Sequence, residues 1–159
     1  MGLSLKREEM IEFLEAAKMP GESFNCMLWG TVYADISNFY NHSVASIIMS
    51  LTFRPGVAGL LDNAFCYIGL TEQSVYVVAL DSYNTSKITG QFALPYENIA
   101  SMNISKAPFG VSHTVTIECG ELVSLTVKST SIGTNIKDQK TRMELFLVTM
   151  EKLKADFRE

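Results

Sequence analysis

Side chains able to ligate a metal, attack a carbonyl or shuttle a proton are few in this chain. Three cysteines and two histidines are spread over 159 residues. Cys26, Cys66 and Cys119 lie far apart, without the Cys-x-x-Cys spacing of metal or redox motifs. Each falls in a strand-like run, so buried, reduced thiols of a cytosolic protein are the reading. His42 sits in a polar stretch and reads as an exposed loop residue. His113 falls on the inward side of an alternating run. It is either a core histidine held by a backbone partner or a ligand or base, and the core reading carries more weight. No Gly-x-Ser-x-Gly elbow, phosphate-binding loop or Gly-x-Gly-x-x-Gly turn is present. Asp35, His42 and Ser43 can be drawn as a triad, but triads are assembled in space, and closeness in sequence does not support one. The chain therefore reads as a non-enzyme, with no catalytic, metal-binding or cofactor-binding residue and no cofactor.

The totals narrow the partners. Apolar residues make up 47 % of the chain and charged residues 19 %, a composition that folds; the length suits one domain over residues 1–159. A net charge of −4 and a pI near 5.2 oppose nucleic-acid binding and give no electrostatic attraction to an anionic membrane. The charged, helix-like start is not a secretion signal, which points to the cytoplasm.

The elements that must position any site are mostly strands. Phe65–Leu80 organises them: two apolar runs flank the polar break Thr71-Glu72-Gln73-Ser74, too short for a crossover, so the runs pair antiparallel. Before them, Ser4–Lys18 reads as a helix capped by Ser4, with Met10, Phe13, Leu14 and Ala17 on one stripe. Phe24–Ala34 reads as a strand. Phe24, Cys26, Leu28, Val32 and Ala34 alternate with Asn25, Met27, Trp29, Thr31 and Tyr33, and the second set is too aromatic for a solvent face. Trp29 could mark a ligand site, although a packed or partner-covered aromatic carries more weight. Lys87–Leu94, Ile99–Lys106, Val111–Glu118 and Leu122–Lys128 complete seven strands. In the sixth, Val111, His113, Val115 and Ile117 are expected inward. Lys137–Arg158 reads as the longest helix, with Met143, Phe146, Leu147, Met150, Leu153 and Phe157 on one stripe. The expected architecture is mainly β, a barrel over about 23–130 between helices at about 4–18 and 137–158.

Seven strands closed by one amphipathic helix resembles the pleckstrin-homology-like (PH-like) superfold, and within it the bacterial PH-like and GRAM-like domains. Two motifs carry the resemblance. Tyr67-Ile68-Gly69-Leu70-Thr71-Glu72-Gln73-Ser74-Val75-Tyr76-Val77 is similar to the family's strand, Leu-Thr, short turn and second strand. Leu94-Pro95-Tyr96-Glu97-Asn98-Ile99 is similar to its Pro-aromatic-x-x-Ile step. The resemblance covers roughly 23–157 and implies a binding or interaction module. Two departures bear on the ligand. Gln73 and Ser74 stand where the family usually has a Lys-Arg pair, and the first connection, Asp35–Asp62, holds a single cation, Arg54, where phosphoinositide binders cluster several. A protein partner or a second copy of the chain is therefore expected ahead of a lipid surface, which stays as the alternative. An enzyme with an unrecognised site is the third and most remote reading.

The first connection is enlarged and greasy. Ser43 can cap a short helix with Val44, Ile47, Ile48 and Leu51 on one face, which would fold onto the barrel. Phe39, Tyr40, Met49, Phe53 and Arg54 are then the candidate interaction surface, and self-association is the expected use, since soluble monomers rarely expose so much apolar area.

Overall fold

The computed structural model describes residues 5–35, 60–107, 111–119, 122–130 and 134–156. The elements run α1 (Arg7–Ala17), β1 (Cys26–Asp35), β2 (Leu60–Leu70), β3 (Ser74–Leu80), β4 (Ile88–Pro95), β5 (Ser101–Lys106), β6 (Ser112–Glu118), β7 (Leu122–Lys128) and α2 (Gln139–Asp156). The strands form one antiparallel sheet in the order β4-β3-β2-β1-β7-β6-β5. This is the mainly β arrangement of seven strands between two helices that the sequence implied. Every expected strand is present, with ends displaced by a few residues.

β1 joins the two halves of the sheet. It pairs with β2 from Cys26↔Leu70 to Asp35↔Leu60, but only Gly30–Tyr33 pair with β7. Opposite Tyr33, β2 carries a bulge at Asp62-Asn63, where Asn63 adopts φ 53°, a left-handed conformation that asparagine tolerates well. Inward side chains from all seven strands meet in one cluster, so the sheet curls around its own core. Met143, Phe146 and Met150 of α2 fill the same cluster, and Leu147 and Leu153 pack against it. The buried side chain of Gln139 pins the start of α2 by donating to the carbonyls of Trp29 and Lys128, each at 2.9 Å.

A second core lies on the outer side of β1–β4. Trp29, Tyr67, Tyr76, Val78, Leu80 and Ala93 turn outward there, and Leu5, Met10, Leu14 and Ala17 cover them. This explains why all seven residues of β3 are buried: the barrel core takes one face and α1 the other. Burying Met10 and Leu14 contributes about 1.5–3 kcal/mol each. Trp29 is thus a packed aromatic, tilted against Phe65 at 6.5 Å between ring centres, whereas Tyr33 on that side of β1 is exposed.

Three local expectations are corrected. Phe24 does not point inward. It precedes β1 and sits edge-on to Tyr76 in the outer core, ring centres 5.5 Å apart, because the strand register begins at Cys26. Val111 is 49 % exposed, because the strand starts one residue later, at Ser112. The cap of α1 falls on Lys6, with no side-chain bond, and Ser4 lies outside the described residues, as do Phe157 and the short helix expected after Ser43.

All three cysteines are buried thiols, and no disulfide joins them. Burial lifts Cys26 from 9.0 to about 11, only partly offset by Arg142, and raises the fully buried Cys66 further. Two pKa steps cut the thiolate fraction near neutral pH about a hundredfold, and the thiolate is the nucleophile. A chromogenic disulfide reagent should therefore titrate three thiols quickly in denaturant and none quickly in the native protein. Fast native reaction of two or more would contradict this core.

Candidate partner-binding cleft

The one turn that organises the hairpin also helps to build a cleft. Thr71 is buried at the end of β2, and its hydroxyl oxygen accepts the N–H groups of Gln73 and Ser74, both at 3.1 Å. The N–H of Thr71 donates to the carbonyl of Ser74 at 3.0 Å, closing the turn. The polar break is thus a side-chain-templated turn. On its far side, the N–H of Tyr96 donates to the carbonyl of Gln73 at 2.9 Å and the Tyr96 hydroxyl to the carbonyl of Thr71 at 2.8 Å. Pro95 ends β4 and starts the 3-10 turn Tyr96–Asn98, which turns the chain from one sheet edge to the other.

The segment between α1 and β1 lies against this corner. Tyr76 receives the N–H of Met19 at 3.1 Å and donates its own hydroxyl to Glu22 at 2.8 Å. The other oxygen of Glu22 accepts the Thr71 hydroxyl at 2.6 Å. One half-buried carboxylate is therefore held at both oxygens by buried hydroxyls. Burial and the neighbouring Glu22 push the Tyr76 phenol up to about 12, so it remains a donor across the physiological range. Burial raises Tyr96 as well.

Between these parts lies an open cleft of about 520 Å³. Its apolar lining comes from Met19, Tyr76, Ala93, Pro95 and Tyr96; its charged lining is Glu22, Glu72 and Glu97, without a lysine or arginine. A smaller recess of about 210 Å³, reaching Gly21 and Asn25, shares Glu22, Glu72 and Gln73 with it. Among the described residues the three carboxylates have no ion pair. Lys18, the nearest cation in sequence to Glu22, is bound to Glu15 at 2.8 Å and lies 5.9 Å from the centre of the Phe24 ring.

The interaction surface read from the sequence, Phe39, Tyr40, Met49, Phe53 and Arg54, lies outside the described residues, as do His42 and Ser43. His113 is half-buried, and its Nδ1 is buried without the backbone partner expected for it. His113 lies in β6 opposite Lys106 of the edge strand β5 and Val127 of β7. Among the described residues no three of His, Cys, Asp and Glu are placed to hold a metal ion, and no helix is long and apolar enough to cross a membrane. Sequence reading missed the cleft. Its one local signal is the Thr71–Ser74 break followed by the Pro95-Tyr96 step, which by themselves read as structural.

The fold and cleft define a seven-stranded antiparallel sheet packed by a helix on either side, with an acidic recess at one corner. No protein-family model matches the chain, and no curated protein matches it. Solved structures that the chain is similar to include two domains. The hSac2 domain from human phosphoinositide phosphatase Sac2 is 12 % identical, with a TM-score of 0.48 over 96 % of this chain and 85 % of that one. The Vps36 N-terminal PH domain is 16 % identical, with a TM-score of 0.40 over 82 % and 86 %.

Proposed function

We propose that this chain is a non-enzymatic binding module of the bacterial PH-like, GRAM-like kind, working in the cytoplasm by holding a protein partner. The cleft carries this reading. Its volume suits one or two side chains, half of its lining residues are apolar, and a fixed polar group stands in it, features of a recognition site. A phosphate headgroup is opposed by sign, because the charged lining is entirely anionic and phosphate recognition needs cations or backbone donors. Self-association through Met49 and Phe53 is a second route to the same role, supported by the apolar character of the first connection.

Selection from a random peptide library displayed on phage tests the reading. Peptides should be enriched on the wild type and lost on Gln73→Trp, which places a bulky ring at the exposed rim without touching the core. The protein should not float with anionic or neutral vesicles. Flotation, or an absence of peptides sensitive to Gln73→Trp, would reject a protein-binding cleft. Light scattering on the wild type and on a Met49→Lys, Phe53→Glu variant tests the second route; a monomer at tens of micromolar, on the order of the concentrations where weak dimers form, rules it out.

A further inference from the structure

We infer that the cleft takes a cationic side chain, an arginine or lysine presented by an extended segment of the partner. The inference rests on the protein-binding reading above and adds the chemistry of the occupant. Charge complementarity carries it. Glu22 is an anion that the fold orients but does not neutralise: Thr71 and Tyr76 fix both oxygens, and no described cation pairs with it. A half-buried charge without a counterion is costly unless hydrogen-bond donors hold it. Glu72 and Glu97 add negative charge at the exposed rim. The one basic residue within reach in sequence, Lys18, is engaged by Glu15 and faces Phe24. The field in the cleft is therefore left for a ligand.

The lining agrees with a cation on an aliphatic stem. Met19 and Pro95 offer apolar surface for methylene groups, which basic side chains bury while keeping the head polar. Tyr96, half-buried in the lining, supplies an aromatic ring, and such rings attract ammonium and guanidinium groups, arginine most often. A neutral or acidic side chain would use the apolar lining but leave Glu22 uncompensated. Of the occupants that fit by size, a basic one also satisfies the charge.

The probe is the blocked peptide Ser-Gly-Arg-Gly-Ser, titrated into ¹⁵N-labelled protein, with a twin carrying citrulline, the neutral isostere of arginine. The arginine peptide should move the amide signals of Tyr76, Tyr96 and Glu97 with a Kd on the order of 1 mM. The citrulline twin should bind at least about fivefold more weakly, and raising salt from 0.05 to 0.5 M should narrow that gap. A Glu22→Gln, Glu72→Gln, Glu97→Gln variant keeps the shape and removes the charge, and should bind the two peptides alike. Should Glu22→Gln loosen the linker, the Glu72→Gln, Glu97→Gln variant alone, altered only at exposed rim positions, should still reduce the preference. Equal binding of both peptides by the wild type, shifts confined to other surfaces, or no shift at about ten times the expected Kd would overturn the proposal. If the library instead yields peptides sensitive to Gln73→Trp but lacking basic residues, the protein-binding reading stands and the cationic occupant falls.

Discussion

Replacing Phe146 with alanine should remove about 3–5 kcal/mol of folding stability, the usual result of emptying an aromatic core site. Phe146 is fully buried in the middle of α2, in the cluster that collects side chains from every strand. Truncation loses the transfer free energy of the ring. It also opens a cavity that the curled sheet cannot collapse into, since its strands are held by pairing on both sides of β1. At this chain length each kcal/mol is worth roughly 2–4 °C, so the melting temperature should fall by about 6–20 °C. Leu145, the adjacent residue on the same helix, is 46 % exposed, and Leu145→Ala should stay within about 0.5 kcal/mol. Thermal melts followed by circular dichroism decide the matter. If the two variants melt together near the wild type, α2 does not seat on the core as described.

The second large effect is expected from one carbon atom. A Cβ on Gly30 would lie 2.5 Å from the carbonyl oxygen of Thr126, well inside contact distance, and 3.3 Å from Ile68 and Val127. Thr126 belongs to β7, and Gly30 is the first β1 residue to pair with it. Gly30→Ala must therefore push two backbones apart at the seam where the sheet halves join, and should cost about 1–3 kcal/mol or more. Gly69→Ala is the comparison. Its Cβ would meet the Phe24 ring, a still closer approach. Phe24 is a half-buried side chain ahead of β1, free to rotate in a way that a strand carbonyl is not. Urea denaturation should rank Gly30→Ala clearly below Gly69→Ala. The reverse order would mean that β7 yields at the seam more readily than the Phe24 ring does.

Much of this architecture is written locally. The alternation of Val123, Leu125 and Val127 with Ser124 and Thr126 dictates which side of β7 enters the core, because successive side chains in a strand point to opposite faces. The helical spacing of Met143, Phe146 and Met150 likewise selected the buried side of α2. The aromatic second set of β1 said that its outer face needed a cover, and the stripe on α1 said that the helix needed a seat. That these two needs answer one another was decided only in three dimensions, where Trp29, Tyr67 and Tyr76 lie under Met10, Leu14 and Ala17.

The cleft belongs wholly to that second level. Glu22, Thr71, Tyr76 and Tyr96 come from a linker, a turn, a strand and a corner, and no spacing along the chain connects them. A lone glutamate in a linker reads as a solvated charge, and a tyrosine in an apolar strand reads as core. What makes them a site is the register that sets Tyr76 opposite Ala93 and Gly69, together with the packing of α1 that brings Glu22 over the hairpin. Strand identity depends on neighbours two residues away, so the amino-acid sequence determined it directly. The juxtaposition of a fixed carboxylate with two tyrosines depends on contacts across roughly 50 to 75 positions, and only the tertiary structure could decide it.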